Sequence, residues 1–311
     1  MKHEILITGP MYPPTLAELE QTYTAHRYWT AADKDGLLAS VADRITAVAS
    51  SNSGGINGAT MAKLPKLKVI SHFGVGYDTV DVDAARSRRI AVTNTPDVLT
   101  EEVADLTLGL LLATIRRIPQ GDRYVREGKW LKGAMALTDS LQGKTVGIIG
   151  MGRIGRAIAR RVEAFGVKIA YQGPNPKRDL AWPYFADAVA LAKDSDVIIA
   201  ACPGGEATRG LVSRAVIEAI GPKGFLVNIS RGSVVDETAL IEALQQDRIA
   251  GAGLDVFVDE PRVPDAFLTM ENVVLQPHVA SATHPTRKAM GQLVIDNLAA
   301  HFAGKALLTP V

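Results

Sequence analysis

A glycine-rich turn between an apolar strand and an amphipathic helix places the strongest constraint on the fold of this chain. Thr145–Ile149 is a short run of apolar and β-branched residues, which predicts a buried parallel strand. The pattern G-x-G-x-x-G follows at Gly150, Gly152 and Gly155, where a segment with helical apolar spacing begins. A second strand is predicted at Val167–Tyr171. The sequence therefore predicts a βαβ unit with a glycine turn after its first strand.

The three glycines of this turn have different physical roles. The first permits a tight turn, the second lets a pyrophosphate approach the backbone, and the third lets helix and strand pack closely. The helix N-terminus adds free N–H groups and the positive end of the helix dipole. A bare G-x-G-x-x-G also fits an ordinary glycine turn, but the strand before it and the helix and strand after it favour dinucleotide binding.

Composition narrows the class of protein. With 311 residues, of which 47% are hydrophobic, the chain is long enough for two domains with sizeable cores. A net charge of +1 gives no indication of binding to nucleic acid or to an anionic membrane. Cys202 is the only cysteine, which excludes an intrachain disulfide and fits a reducing cytosol. The first ten residues are too polar for a signal peptide, and no apolar run reaches the about 20 residues of a membrane span. We therefore expect a cytoplasmic location.

Residues 1–95 alternate between strand and helix patterns. This alternation predicts a parallel sheet covered on both faces. The predicted strands are Glu4–Thr8, Ile45–Ser50, Lys68–Ser71 and Ile90–Val92, and the predicted helices are Thr15–Tyr23, Asp35–Ala42, Gly58–Lys63 and Asp81–Ser87. Two glycine-bearing turns, Ser51–Gly55 and Phe73–Asp78, follow predicted strands and so belong to the carboxyl edge of the sheet, where ligands bind in open α/β folds. Backbone N–H groups around Gly76 could bind an anion; an ordinary βα turn explains these residues equally well.

A turn at Asn94–Asp97 marks the first crossing into a second domain. A long helix is predicted from Thr100 to about Ile118, where Pro119–Gly121 interrupts it, and Tyr124–Leu141 fits either a dimer arm or a surface connection. Four more strands, spaced by helices, make the second domain doubly wound: Asp196–Ala201, Phe225–Ile229, Gly251–Val256 and Asn272–Leu275. The final helix, Arg287–Phe302, is assigned to the first sheet. The predicted domains are 1–96 with 283–311, and 97–282.

Three charged residues, Arg231, Glu260 and His278, lie just past strand ends of the second domain. Such ends converge on the cofactor crevice of a doubly wound sheet. A guanidinium can hold the carboxylate or carbonyl oxygen of a 2-oxo acid, and a histidine can give that oxygen a proton while hydride arrives from a nicotinamide. A carboxylate that is hydrogen-bonded to the histidine fixes the orientation of the imidazole ring. Taken singly, these residues also fit a solvated charge, a turn carboxylate and a loop histidine.

Four motifs, in this order and spacing, resemble the D-2-hydroxyacid dehydrogenase family: VGIIGMGRIGRAIARR, NISRGSVVDETAL, GAGLDVFVDEP and LQPHVAS. The segments NTPDVLT from Asn94, Lys129-Trp130 and LLTP from Leu307 are most similar to its hydroxyphenylpyruvate, hydroxypyruvate and glyoxylate reductase branch. The resemblance implies an α/β protein with two doubly wound domains, a Rossmann NAD(P)-binding domain inserted into a flavodoxin-like substrate domain. It also implies a homodimer that reduces a small 2-oxo acid with NAD(P)H and needs no metal.

The resemblance also implies a set of site residues. Arg231, Glu260 and His278 would be catalytic, with His278 as proton donor. The substrate would meet Arg231, His278, Ser53, Gly54 and the backbone near Val75 and Gly76. Met151 to Ile154 would touch the pyrophosphate and Asp255 the nicotinamide carboxamide. The full set expected at the cofactor is Gly150, Met151, Gly152, Arg153, Ile154, Gly155, Gly173, Pro174, Asn175, Lys177, Cys202, Ile229 and Asp255.

The residues after Tyr171 depart from the family pattern. NAD-using members typically have Asp where this chain has Gln172, and the NADP-using branch typically has Arg where this chain has Pro174. Without that aspartate a 2′-phosphate is not repelled, and Lys177 and Arg178 follow within a few residues. We therefore predict NADPH as the preferred cofactor, with NAD also possible.

Three other functions share features with this sequence. A 2-ketogluconate-type reductase uses the same chemistry on a longer substrate. A nucleotide-sensing corepressor has the same fold and triad, but this chain has no long disordered tails. A formate dehydrogenase typically has Gln where this chain has Glu260, because formate oxidation releases no alcohol proton.

Overall fold

The computed structural model describes residues 2–311 and divides them into two compact units. The first unit contains residues 2–99 and 281–311, and the second contains residues 100–280. Each unit has its own parallel sheet, which confirms the predicted α/β class with two parallel-sheet domains. The boundaries predicted from the sequence, after residues 96 and 282, lie three and two residues from those of the structure.

Twelve strands form the two sheets of the described residues. They are β1 (Glu4–Ile7), β2 (Thr24–Arg27), β3 (Ala47–Ser51), β4 (Val69–Phe73), β5 (Ala91–Thr93), β6 (Thr145–Ile149), β7 (Lys168–Gln172), β8 (Tyr184–Phe185), β9 (Val197–Ala200), β10 (Phe225–Asn228), β11 (Gly251–Leu254) and β12 (Val273–Leu275). The first sheet has the order β2-β1-β3-β4-β5 and the second β12-β11-β10-β9-β6-β7-β8. Neighbouring strands are parallel throughout both sheets.

Twelve α-helices connect these strands within residues 2–311. They are α1 (Pro13–Thr22), α2 (Lys34–Val41), α3 (Gly58–Ala62), α4 (Val82–Ser87), α5 (Thr100–Ile115), α6 (Ile118–Arg126), α7 (Arg153–Glu163), α8 (Ala188–Lys193), α9 (Arg214–Ile220), α10 (Glu237–Gln245), α11 (Asp265–Leu268) and α12 (His284–Phe302). Short 3₁₀ turns occur at Tyr28–Thr30, Lys129–Lys132, Glu206–Thr208 and Gly232–Val234. No helix of the described chain combines the length and the apolar character that a membrane crossing needs.

The structure differs from the sequence prediction after α5. The predicted helix to about Ile118 ends at Ile115, and Arg117 then adopts a left-handed conformation with φ 50°. Pro119 lies in the first turn of α6, where its missing N–H costs nothing because that turn has unsatisfied donors in any case. Pro119, which was predicted as a break in one helix, therefore also begins another.

Each sheet packs helices against both faces, so its central strands are buried along their whole length. All five residues of β3 and of β4 are buried, as are all four of β9 and of β10. Burial on both faces explains why these strands are rich in apolar residues and do not alternate between apolar and polar ones. Each unit therefore has its own apolar core. One surrounds Leu6, Val48 and Ile70 in the first unit, and the other surrounds Ile198 and Leu226 in the second.

The C-terminal segment completes the first unit. Helix α12 packs on β4 and α1, and Ser71 Oγ donates to Val294 O over 3.4 Å. Asn297 is fully buried, and its side-chain oxygen accepts the backbone N–H groups of Leu308 and Thr309 at 3.0 and 3.3 Å. The Thr309 hydroxyl donates to Asn94 O over 2.6 Å. The first unit is therefore discontinuous in sequence.

Candidate active site

The glycine turn after β6 has the geometry that its sequence pattern predicts. Gly150 has φ 100°, a conformation that favours glycine, and a Cβ added at Gly155 would overlap the carbonyl oxygen of Gly150. Gly152 precedes α7 as its N-cap and gives the helix no side-chain cap. A Cβ added at Gly152 would meet no atom within 4 Å. The N-terminus of α7 therefore offers N–H donors beside open space, as an anion site requires.

This turn lies at the point where the strand order of the second sheet reverses. β6 is hydrogen-bonded to β7 on one side and to β9 on the other, and ligands of doubly wound folds bind outside the carboxyl ends of such a pair. Cys202 follows β9, and its backbone N lies 2.5 Å from the Cβ that would be added at Gly150. Cys202 and Ile229 are both buried at this edge. Both were predicted near the cofactor.

The segment after β7 is held by two tyrosine side chains, one buried and one half-buried. Tyr171 is 1% exposed, and its hydroxyl oxygen accepts the backbone N–H of Lys177 at 2.7 Å. The Tyr184 hydroxyl donates to Gly173 O over 3.0 Å. Pro174 and Asn175 are exposed between these two anchors. The backbone of this turn is thus fixed at both ends.

An ion pair fixes the far side of the same segment. Arg156 of α7 donates two hydrogen bonds to the carboxylate of Asp179, at 2.6 and 3.1 Å. The Arg156 guanidinium lowers the pKa of Asp179. Gln172 donates from Nε2 to Ala186 O at 3.3 Å, so the end of β7 presents an amide at the position where NAD-using members of the family typically have a carboxylate.

Glu260 and His278 form a hydrogen-bonded pair in the second unit. His278 Nδ1 lies 2.7 Å from Glu260 Oε2, and the two side chains are 31% and 34% exposed. The other carboxylate oxygen of Glu260 accepts the backbone N–H of Phe257 at 3.1 Å. Nδ1 is therefore engaged by the carboxylate, which leaves Nε2 as the nitrogen that can act on a ligand.

The surroundings of Glu260 keep its carboxyl group ionised. Burial acts to raise its pKa, but the hydrogen bond and charge of His278, the N–H of Phe257 and the charge of Arg231 together lower it below its usual value. An anionic partner stabilises a protonated imidazole electrostatically. The carboxylate of Glu260 can therefore orient the imidazole, and Nε2 is the ring nitrogen that can give a proton to a ligand.

His278 itself has an uncommon backbone conformation, with φ 54°. Its N–H donates to Asp255 O at 2.8 Å. The carboxylate of Asp255, which is fully buried, accepts the N–H groups of Val279 and Ala280 at 2.8 and 3.0 Å. Burial raises the pKa of Asp255, and these two hydrogen bonds oppose the rise. Asp255 thus holds the turn that aims His278, a role that the sequence did not indicate.

Arg231 follows β10 on a loop that packs against the loop of Glu260. A Cβ added at Gly232 would overlap the backbone of Phe257, so only glycine lets these two loops approach so closely. Arg231 Nη1 donates to Ser230 O over 2.9 Å, and Asn228 Nδ2 donates to Arg231 O over 3.0 Å. The close approach of the loops explains why the charge of Arg231 acts on Glu260. The second unit thus brings Arg231, Glu260 and His278 together.

In the first unit, the loop after β4 presents two amides. Within residues 2–311 the N–H groups of Val75 and Gly76 donate to no protein acceptor. The carbonyl groups are occupied: Asn94 Nδ2 donates to Val75 O at 2.9 Å, and Thr95 N donates to Gly74 O at 2.9 Å. Two successive amides with their carbonyls turned away can bind an anion.

The other predicted substrate loop, after β3, is built differently. Ser53 is exposed, but Gly54 donates its N–H to Ser51 O at 3.0 Å. A Cβ added at Gly54 would overlap the backbone of Thr8 and Gly9. Gly54 therefore has a packing role in the structure, and its amide is not available to a ligand. Across residues 2–311, no group of three or more His, Cys, Asp or Glu side chains has the arrangement of a metal site.

Comparison with known proteins identifies the family. Residues 108–280, more than half of the chain, match the model of the D-isomer specific 2-hydroxyacid dehydrogenase NAD-binding domain. A glyoxylate/hydroxypyruvate reductase A of Arabidopsis thaliana is 49% identical over 307 residues, which cover 99% of this chain and 98% of that protein. A hydroxyphenylpyruvate reductase of Plectranthus scutellarioides is 47% identical over 307 residues, with the same coverage of 99% and 98%.

A solved structure matches the whole fold. The crystal structure of an NADPH-dependent glyoxylate/hydroxypyruvate reductase from Sinorhizobium meliloti, in complex with NADP and malonate, has a TM-score of 0.94 and 47% identity. The match covers 100% of this chain and 97% of that one. Together with the glycine turn and the strand order of the second sheet, these comparisons show that the chain belongs to the D-isomer specific 2-hydroxyacid dehydrogenase family, a family of oxidoreductases with an NAD-binding domain.

Proposed function

We propose that this protein reduces a small 2-oxo acid to the D-2-hydroxy acid with NAD(P)H, and that His278 is the proton donor. The observation that supports this most strongly is the 2.7 Å contact between His278 Nδ1 and Glu260 Oε2. It belongs to the same unit as the glycine turn, and it leaves Nε2 to act on a carbonyl oxygen. Reduction of a carbonyl needs one hydride at carbon and one proton at oxygen, and a histidine paired with a carboxylate suits the second task.

Each protein group has one task in this proposal. The N–H groups of Val75 and Gly76 bind the substrate carboxylate, and the exposed Ser53 hydroxyl lies on the neighbouring loop. The guanidinium of Arg231 binds the carbonyl or carboxylate oxygen and polarises it. His278 Nε2 gives its proton to the carbonyl oxygen, and Glu260 orients the imidazole and stabilises its protonated form. Asp255 holds the turn of His278 in place.

The second unit fits a nicotinamide dinucleotide. The space beside Gly152 is open, and the N-terminus of α7 has no side-chain cap, as a pyrophosphate requires. When bound, the reduced cofactor supplies the hydride. The residues that would hold it are Gly150, Met151, Gly152, Arg153, Ile154 and Gly155 at the pyrophosphate, Gly173, Pro174, Asn175 and Lys177 at the ribose, and Cys202, Ile229 and Asp255 near the nicotinamide.

The substrate class can be tested directly. Steady-state rates with glyoxylate, hydroxypyruvate, phenylpyruvate, hydroxyphenylpyruvate, 2-ketogluconate and formate would rank the candidates. We expect kcat/KM to be highest for a small 2-oxo acid such as glyoxylate or hydroxypyruvate. Two relatives that align with this chain over nearly their full length are glyoxylate/hydroxypyruvate reductases. Oxidation of formate without reduction of any 2-oxo acid would contradict the proposal.

We propose that NADPH is preferred over NADH. Gln172 stands where an aspartate would repel a 2′-phosphate, and Tyr171 and Arg156 fix the turn that contains Lys177. The S. meliloti relative of this fold is NADPH-dependent. Values of kcat/KM for both cofactors at one ionic strength would test the preference. A Lys177→Ala/Arg178→Ala variant should lose it, because charge-assisted hydrogen bonds to the phosphate disappear.

A matched control separates this effect from a general loss of positive charge. Lys223 lies at the opposite, amino edge of the second sheet, just before β10. In Lys223→Ala, the ratio of kcat/KM for NADPH to kcat/KM for NADH should equal that of the wild type. A wild type that favours NADH would show that the turn after β7 does not select the phosphate, and a double variant that keeps its preference would show that other groups bind it.

We also propose that the protein is a homodimer. The segment from α6 to residue 137 exposes five large apolar side chains: Ile118, Val125, Trp130, Leu131 and Leu137. Apolar side chains concentrated in one exposed segment commonly mark a protein interface. Light scattering after size exclusion should give twice the chain mass for wild type and a smaller mass for Leu131→Glu. Leu268→Glu, at an exposed leucine outside this segment, should leave the mass unchanged; a monomeric wild type would contradict the proposal.

A further inference from the structure

One fully buried histidine of the first unit joins two loops at the carboxyl edge of its sheet. His72 lies on β4 and is 0% exposed. Its Nε2 lies 2.9 Å from Asn52 Oδ1, on the loop after β3, and 3.0 Å from Gly76 O, on the loop after β4. Its Nδ1 lies 2.9 Å from Ser50 Oγ.

The partners of His72 determine which ring nitrogen has the hydrogen. A backbone carbonyl can only accept, so the contact with Gly76 O requires a hydrogen on Nε2. That N–H is shared between Gly76 O and Asn52 Oδ1, a three-centre arrangement. In the neutral ring, Nδ1 then accepts the hydroxyl hydrogen of Ser50. The imidazole is thus oriented by both nitrogens, and its orientation fixes the two loops with respect to each other.

The loop that His72 holds is the one with the two available amides. A Cβ added at Gly74 would lie 2.8 Å from His72 Nε2, so the ring packs directly against the backbone of this loop. His72 binds the carbonyl of Gly76, Asn94 that of Val75, and the Thr95 N–H that of Gly74. The carbonyls of Gly74 and Val75 belong to the same peptide groups as the N–H groups of Val75 and Gly76, so these two amides point away from Thr95 and Asn94. The contact of His72 with Gly76 O holds the next peptide group, at the end of this loop. This arrangement keeps both amides ready for an anion before any ligand arrives.

We propose that His72 is a positioning residue for the substrate carboxylate, which acts by holding the loop that presents the amides of Val75 and Gly76. This inference rests on the proposed reduction of 2-oxo acids. The carboxylate is bound equally in the ground state and the transition state, because it takes no part in the bond changes. Loss of His72 should therefore weaken substrate binding uniformly, which raises KM and leaves kcat nearly unchanged.

The test compares His72→Leu with His72→Gln. Leucine removes the hydrogen bonds, and we expect KM for the 2-oxo acid to rise about tenfold, the scale of one lost hydrogen bond to a bound ligand. We expect kcat to stay within about twofold of wild type and NADPH binding, measured by fluorescence titration, to be unchanged. The inhibition constant of oxamate, a carboxylate analogue of a 2-oxo acid, should rise with KM. Glutamine can place an N–H group near the position of Nε2, so His72→Gln should restore KM to near the wild-type value.

Controls separate positioning from general damage to the fold. His26→Gln makes the same substitution in the same unit, at an edge-strand histidine that contacts Glu4, and should leave KM unchanged. If His72→Leu does not fold, His72→Asn replaces it, because the shorter amide can mimic Nδ1 but not Nε2. An unchanged KM in His72→Leu, or an equal rise in His72→Leu and His72→Gln, would overturn the assignment. A wild type that reduces no 2-oxo acid would instead overturn the proposed function.

Discussion

At the scale of single residues, backbone conformation and hydrogen bonding aim His278 in a fixed direction. Its left-handed φ of 54° is maintained by three hydrogen bonds to one buried residue, Asp255. Glu260 then fixes the ring from the side of Nδ1. The proposed proton donor is therefore fixed in orientation both by its main chain and by its side chain.

The His278→Ala variant should lower kcat for reduction of the 2-oxo acid by roughly 10²-fold or more, because the general acid is lost. Binding of NADPH, measured by fluorescence titration, should barely change. The variant should also fold, because alanine keeps the backbone N–H that bonds Asp255. A kcat equal to that of the wild type would remove His278 from the mechanism.

The Arg231→Lys variant should also be strongly impaired although its charge is kept. Lysine lacks the planar fork of donors, so the two-point contact with an oxyanion is lost. We expect a fall in kcat/KM for the 2-oxo acid of roughly 10²-fold, about the 3 kcal/mol that a charge-assisted contact can contribute. Steady-state kinetics at saturating NADPH would measure it. Near-normal turnover in Arg231→Lys would mean that Arg231 acts only as a point charge.

At the scale of elements, two glycines at the start of α7, Gly152 and Gly155, have different roles. Gly155 has no space for a side chain, because its Cβ would overlap the carbonyl of Gly150, whereas the space beside Gly152 is open. Gly155 therefore allows the helix to pack against the strand, and Gly152 leaves room for the ligand.

Alanine substitutions at these two glycines should impair different properties, stability at Gly155 and cofactor binding at Gly152. Gly155→Ala should lower the free energy of unfolding by roughly 1–3 kcal/mol, the range for overpacking a close contact, and urea denaturation would measure it. Gly152→Ala should unfold at nearly the wild-type urea concentration, but its Kd for NADPH should rise at least about tenfold because a methyl group occupies the phosphate space. Equal losses of stability in both variants would contradict this division of roles.

The sequence predicted most elements because their patterns are local. Apolar runs predicted the central strands, and the positions past their ends predicted Arg231, Glu260 and His278. Strand β2 (TAHR) was missed because it is an edge strand with no fully buried residue. The contact of Asp255 with Val279 and Ala280 joins residues 24 and 25 positions apart, and no local pattern indicates such a contact. His72 was missed for the same reason.

At the scale of the whole molecule, one histidine makes stability depend on pH near neutrality. Burial lowers the pKa of His301 below its ordinary value of 6.5, and the nearby His3 lowers it further. Both residues contact the ring of Phe302. The unfolded chain therefore binds the proton more readily than the folded protein, so stability is complete above pH 6.5 and falls as the pH drops through and below that value.

The wild type should thus unfold at a lower urea concentration at pH 5.5 than at pH 8. In His301→Gln, which cannot titrate, the difference between the two pH values should be smaller. Burial raises the pKa of Asp255 and of Glu237, which acts in the opposite direction, but both groups are the same in the wild type and in His301→Gln, so the comparison of the two proteins isolates His301. An equal difference in wild type and variant would show that the acid sensitivity arises elsewhere.

The discontinuity of the first unit has a consequence for synthesis on the ribosome. At the usual roughly 5–20 residues per second, residues 100–280 take roughly 10–40 s to translate. Throughout that interval β4 has emerged without α12, whose Met290, Val294 and Leu298 are buried in the finished protein. The inserted unit can complete its sheet first, while the nascent sheet of the first unit exposes an apolar face that chaperones recognise. The first unit, whose synthesis begins first, therefore completes its fold after the second unit.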